Sequence, residues 1–143
     1  MPPDPFDLQR FLTAQEGIYQ AALAELRGGR KRTHWMWFVF PQFAGLGASA
    51  TSRRYAIRSL EEARAYLDHP VLGARLRECA DALLDLTGPS ASDIFGYPDD
   101  LKFHSSMTLF ELASPPESIF GKVLKEYFGG VRDEATLRLA TCD

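Results

Sequence analysis

Apolar residues along this chain return every three or four positions between helix-type stop and start signals, and almost nowhere do they alternate as a half-buried strand requires. Ile18, Tyr19, Ala22, Leu23 and Leu26 form one such face, with Thr13 and Glu16 spaced as a capping box ahead of it and Gly28 and Gly29 as its stop. A single turn is expected before it, over 7–12. Ser59 with Glu62 predicts the start of a helix through Tyr66 and Leu67, and Pro70 opens another whose stripe is Leu72, Leu76, Ala80, Leu83 and Leu84. One more turn is expected over 90–95. Pro98 then stands in a first-turn position ahead of Asp99 and Asp100, and the helix it opens should reach about Leu112. Ser114 and Glu117 repeat the capping-box spacing before the face made by Ile119, Phe120, Val123, Leu124, Tyr127 and Phe128, and Asp133 opens a last short helix over 134–139.

One segment resists this reading. His34 to Phe40, HWMWFVF, has a period that suits either a buried strand or two buried helical turns, and the absence of a second strand to pair with it favours a short helix. The residues from Gly45 to Ser52 read as a polar loop. With about seven helices, short connections and neither a 34-residue nor a heptad repeat, the chain is expected to be a single all-α domain over residues 1–143.

Composition narrows the classes without naming one. At 143 residues and 45% apolar content the chain is about one ordinary domain, large enough to need no disulfide or metal staples. Sixteen basic and 19 acidic residues are spread along it, so neither nucleic acid nor an anionic membrane is an expected partner. The local exceptions are Arg27, Arg30, Lys31 and Arg32, followed by Arg53 and Arg54, where a phosphate is the natural ligand to consider. Two cysteines, Cys79 and Cys142, make a poor disulfide framework and fit a reducing cytoplasm. The start MPPDPFDLQRF has neither a basic cluster nor an apolar centre, and no apolar run approaches 18 residues, so a soluble, unprocessed chain is expected.

Chemistry concentrates in two places. On a helix from Pro98, Lys102, Ser105 and Ser106 lie towards one face and Asp99 one turn before Lys102, so a cation and two hydroxyls reach one ligand. The equally simple alternative is a local ion pair with serines that admit a neighbouring helix. In the aromatic segment, Trp35 and Trp37 offer flat faces, while His34 and Gln42 could read a ring edge and Tyr55 follows beyond the loop; core packing is the alternative. Three histidines, no two at helical ligand spacing, give no expectation of a metal, and no cofactor motif occurs. His69, ahead of Pro70, reads as a helix cap.

The stretches HWMWFVFPQFAGLG at 34–47, RRYAIRSLEEARAYLDHPVLGARL at 53–76 and IFGYPDDLKFHSSMTLF at 94–110 resemble a bacterial family of unknown function, domain of unknown function 1810. The likeness spans nearly the whole chain and implies a small, mainly helical protein with no established activity. A fainter similarity, carried by YLDHPVLGARL, is to NAD- and ADP-ribose-associated domains that include N-glycosidases of riboflavin metabolism. No catalytic residue of that group maps onto a position here, so the similarity implies only a leaning towards nucleotide-sugar chemistry.

Together these readings lead to two expectations of different kinds. In the first, a nucleotide-derived ligand lies on His34, Trp35, Trp37, Gln42, Tyr55, Ser105 and Ser106; if an N-glycosidic or ADP-ribosyl bond is hydrolysed, Asp99 or Asp100 stabilises the cationic sugar centre or activates water, and Lys102 grips phosphate or traps the sugar aldehyde. In the second, the chain is a non-catalytic helical interaction module.

Overall fold

A computed structural model describes residues 3–141, and its regular structure is helical. Ten helices occur among the described residues: α1 Gln9–Gln15, α2 Tyr19–Arg27, α3 Met36–Val39, α4 Ala50–Arg54, α5 Leu60–Asp68, α6 Leu72–Leu84, α7 Ala91–Phe95, α8 Asp99–Leu112, α9 Ile119–Phe128 and α10 Glu134–Thr141. The all-α expectation holds, and the ambiguous aromatic segment is helix α3 rather than a strand. The count exceeds seven because the expected turns at 7–12 and 90–95 are the helices α1 and α7, and because α4 lies where a polar loop was expected. That last helix has no buried residue and therefore no apolar stripe to betray it; it starts because Ser49 Oγ accepts from Ser52 N at 3.1 Å.

Two helix starts differ from the sequence reading. Thr13 lies inside α1, and the break falls at Glu16 and Gly17, whose φ of +74° suits glycine, so the Thr13–Glu16 pair is not a capping box. Ser114 closes α8 by donating to Phe110 O at 2.7 Å, while Ser118 caps α9 by accepting from Gly121 N at 3.3 Å. Ser90 and Asp93 form a reciprocal capping box, and His69 Nδ1 accepts from the first amides around α6, as its place before Pro70 suggested.

Helix α8 is the axis of the domain. Seven of its residues are buried, from Phe103 through Phe110, and it touches α3, α5, α7, α9 and α10, which is why its sequence is apolar on more than one face. Phe103 sits at the centre with ring centroids 4.5 Å from Phe95 and 5.4 Å from Phe40, so α3 and α7 are both held to the front half of α8. On the other side α6 packs on α2, α5 and α9 through Leu72, Leu76, Ala80 and Leu83. Between α3 and α5 the chain makes a surface excursion that carries α4. It is closed at its base by a parallel bridge in which Ala44 N donates to Ile57 O at 2.8 Å and Ile57 N to Gln42 O at 2.9 Å.

Candidate functional site

The excursion over residues 42–57 is held open by contacts outside itself. Arg10, on α1, donates to Arg54 O at 2.8 Å and to Ala56 O at 2.9 Å, and pairs with Glu62 of α5 at 2.7 Å. Both side chains of this pair are nearly buried, and the second Glu62 oxygen accepts from Arg58 N at 3.0 Å. Two glycines fit the loop to its surroundings. Gly45 has φ +99° and lies against Leu139 of α10; a Cβ on Gly47 would fall 2.5 Å from the Cβ of Ser52.

Under this loop lies a cavity of about 210 Å³ walled by Trp37, Gln42, Phe43, Tyr55, Arg53 and Arg58, with backbone from the glycine loop completing it. Tyr55 is fixed from behind by Phe11 and Phe38, at ring-centroid distances of 5.9 and 5.6 Å. Trp37 has an ammonium on its ring, Lys102 Nζ at 5.0 Å from the centroid. A second, larger groove of about 610 Å³ adjoins the first and is lined by Arg10, Arg53, Arg54, Arg58, Ser59 and Glu62, together with Asp7 and its neighbours.

Of the residues singled out from the sequence, Trp37, Gln42 and Tyr55 meet in the smaller cavity. Lys102 reaches Trp37 but is not part of the lining. Asp99 is a bridge between two cations: Lys31 Nζ at 2.9 Å and Lys102 Nζ at 3.4 Å. Lys31 in turn lies 5.2 Å from the centroid of Trp35, so the aromatic segment and the start of α8 do meet, through ammonium groups on two indoles. Asp100 accepts from Leu101 N at 3.0 Å, a local contact at its own helix start, and is outside that lining.

The remaining candidates are corrected by what they touch. Trp35 is fully buried, its ring 6.0 Å from Phe40, and its indole donates to Glu25 Oε1 at 3.0 Å; it is core, not a platform. The reason is geometric, since residues two apart on a helical segment point to different sides, and only one of the two tryptophans can face the cavity. His34 is exposed and outside the lining. Ser105 bonds to Leu101 O at 3.0 Å and to Asp133 Oδ2 at 3.2 Å, while Asp133 N donates to Thr108 Oγ1 at 2.8 Å; this network docks α10 onto α8. Ser106 is fully buried, and its hydroxyl has no partner among the described residues. Both serines are buried and neither is in the lining of the cavity, because α8 is surrounded on the sides where they point.

Glu25 organises the approach to the aromatic segment. Partial burial would raise its pKa, but four donors outweigh that: Thr33 Oγ1 at 2.6 Å, Arg32 N at 2.6 Å, Thr33 N at 2.9 Å and the Trp35 indole hold it down at about 2. The residues that sequence reasoning missed are Phe43 and Arg58. Arg58 ends the basic triplet in RRYAIR, and the signal that could have found it was the recurrence of arginine either side of an aromatic residue.

A family profile described as a protein of unknown function, DUF1810, matches residues 5–140. The chain belongs to this family. Among solved structures, this DUF1810 protein is similar to the conserved hypothetical protein Rv1873 from Mycobacterium tuberculosis, a crystal structure at 1.38 Å, with 52% identity and a TM-score of 0.95 over 98% of this chain and 100% of that one. No curated protein matches it. Among the described residues of this DUF1810 chain, no helix is long and apolar enough to cross a membrane, and no group of three or more His, Cys, Asp or Glu is placed to hold a metal ion.

Proposed function

We propose that this is a cytoplasmic protein that binds a small nucleotide-derived ligand, with the ligand's flat ring in the cavity between Trp37 and Tyr55 and its edge read by the Gln42 amide. The observation that carries the reading is the wall itself: the aromatic side chains of Trp37, Phe43 and Tyr55, the last packed against Phe11 and Phe38, with one side-chain amide and two arginines around a space of about 210 Å³. That space suits one heteroaromatic ring system rather than a whole dinucleotide. Free Cys79, buried in the core, agrees with a reducing compartment.

Hydrolysis of an N-glycosidic or ADP-ribosyl bond needs a carboxylate at the sugar, and the lining of this cavity contains none. Asp99, the best-placed acid in the sequence reading, is engaged by two ammonium groups. The function supported best is therefore binding rather than turnover.

A thermal-shift panel of NAD, ADP-ribose, adenosine nucleotides and flavin precursors tests this directly. A ligand present at 100 times its Kd adds about 2.7 kcal/mol and raises the melting temperature by several degrees, and Trp37→Ala abolishes the rise. A flat response across the panel overturns the binding reading and favours a helical interaction module, for which Tyr97 (81% exposed) and Leu101 (52% exposed) near the start of α8 are the contact residues to mutate.

A further inference from the structure

We propose that the arginine-lined groove beside the cavity holds the phosphate chain of the same ligand, so that the two hollows form one bipartite site for an aromatic compound bearing a diphosphate. This rests on the reading of the Trp37 cavity as a ring site and adds the class of ligand. The link is physical: Arg53 and Arg58 line both spaces, so a molecule leaving the cavity past either guanidinium enters the groove.

The charges in the groove are unbalanced in one direction. Arg53, Arg54 and Arg58 have no carboxylate partner among the described residues. Of the acids that line the groove, Glu62 is spent on Arg10 and on Arg58 N, which leaves Asp7 as the only carboxylate not engaged by an arginine. Three backbone carbonyls of the lining, those of Phe6, Asp7 and Arg54, are occupied by Arg10 as well. What the groove offers an incoming group is donors: three guanidinium forks and the hydroxyl of Ser59. Guanidinium forks match phosphate oxygens in pairs, and a diphosphate brings the two or three negative charges that three unpaired arginines can meet. The surplus is local, because the chain as a whole carries a net charge of −3.

Isothermal titration of the full chain with adenosine, AMP, ADP, ADP-ribose and inorganic pyrophosphate separates the two halves. ADP and ADP-ribose should bind at least about tenfold more tightly than adenosine, and that advantage should shrink as salt rises while adenosine is unaffected. Arg54 is exposed and lines the groove, and its guanidinium also lies 5.6 Å from the centroid of the Tyr55 ring, so Arg54→Ala should remove most of the advantage while lowering adenosine affinity far less than that of ADP, and Arg54→Lys should restore part of it. Trp37→Ala should weaken every adenosine compound. If adenosine and ADP bind alike, or Arg54→Ala weakens both equally, the bipartite site is wrong while the ring site stands. If pyrophosphate binds and adenosine does not, the groove is separate from the cavity and the bipartite site is overturned. If nothing binds, the ring reading itself has failed.

Discussion

Replacing Arg10 with alanine is the most searching test of how the loop over residues 42–57 is held. The Arg10 guanidinium donates to Phe6 O, Asp7 O, Arg54 O, Ala56 O and Glu62 Oε2 at distances of 2.6 to 2.9 Å, and lies 4.3 Å from the centroid of Phe11. Its loss leaves the Glu62 carboxylate, with a side chain only 4% exposed, supported by Arg58 N alone. Removing one partner of a buried pair costs about 3–5 kcal/mol, because the other charge stays buried without compensation. The exposed carbonyls of Asp7 and Arg54 add little, since water replaces the donor, and the partly buried carbonyls of Phe6 and Ala56 add to the loss. For a chain of this length the total corresponds to a fall in melting temperature on the order of 10 °C. Urea denaturation of wild type, Arg10→Ala and the double variant Arg10→Met with Glu62→Met measures it, with an unchanged m value confirming that stability alone has moved. The double variant should recover at least about 1.5 kcal/mol, since it removes the stranded charge and keeps apolar bulk. A loss below about 1 kcal/mol in Arg10→Ala, or a double variant no more stable than the single one, refutes the argument that this pair anchors the loop.

Other expectations follow from single contacts. Lys102→Met should change the tryptophan fluorescence and weaken ring binding a few-fold, whereas Lys102→Arg should preserve both, because a half-buried cation on an indole contributes on the order of 1 kcal/mol; identical behaviour of the two variants would mean the charge plays no part. Glu25 has a folded pKa near 2, below the usual carboxylate value, so the stability it contributes is complete above about pH 4.5 and disappears as pH falls towards 2; the stability gap between wild type and Glu25→Gln, followed by acid titration of thermal unfolding, should narrow across that window and stay constant above it. Burial pushes the Cys79 thiol up to about 12, so the peptide containing it should resist iodoacetamide in the native protein at pH 8 and label on unfolding, a difference that mass spectrometry reads directly; rapid native labelling would place the thiol at the surface.

The parts of the fold visible in the sequence are those with an apolar stripe and a polar stop. α5, α6 and α9 bury such stripes, α8 is marked instead by Pro98 with Asp99 and Asp100 at its start, and each of the four is legible within a few residues of its ends. α4 has no such stripe, because ATSRR buries no side chain and depends on Ser49, on Arg10 and on the loop closure for its shape. The shifted starts of α2 and α9 share a cause: the capping-box spacing of Thr13 with Glu16 and of Ser114 with Glu117 specifies a local option, and the tertiary position of Gly17 and Ser118 decides which option is used.

The same division explains which site residues were legible. Serines at 105 and 106 and the indole of Trp35 look reactive in one dimension because their polar atoms are visible and their neighbours are not; in three dimensions Asp133 takes Ser105 and Glu25 takes Trp35. Trp37, Gln42 and Tyr55 meet at one cavity because they flank a loop of glycines, serines and arginines that stays at the surface. The loop's apolar side chains, Phe43 and Tyr55 among them, stand in the wall of the concavity instead of filling it, while the backbone is clamped at its base by the Gln42–Ile57 bonds and along its far side by Arg10, so the hollow persists. A substitution that fills the hollow without touching the clamp, such as Ala44→Leu at its wall, should therefore block ligand while leaving stability close to wild type, and a loss of binding together with folding would show instead that the concavity and the clamp are one structural unit.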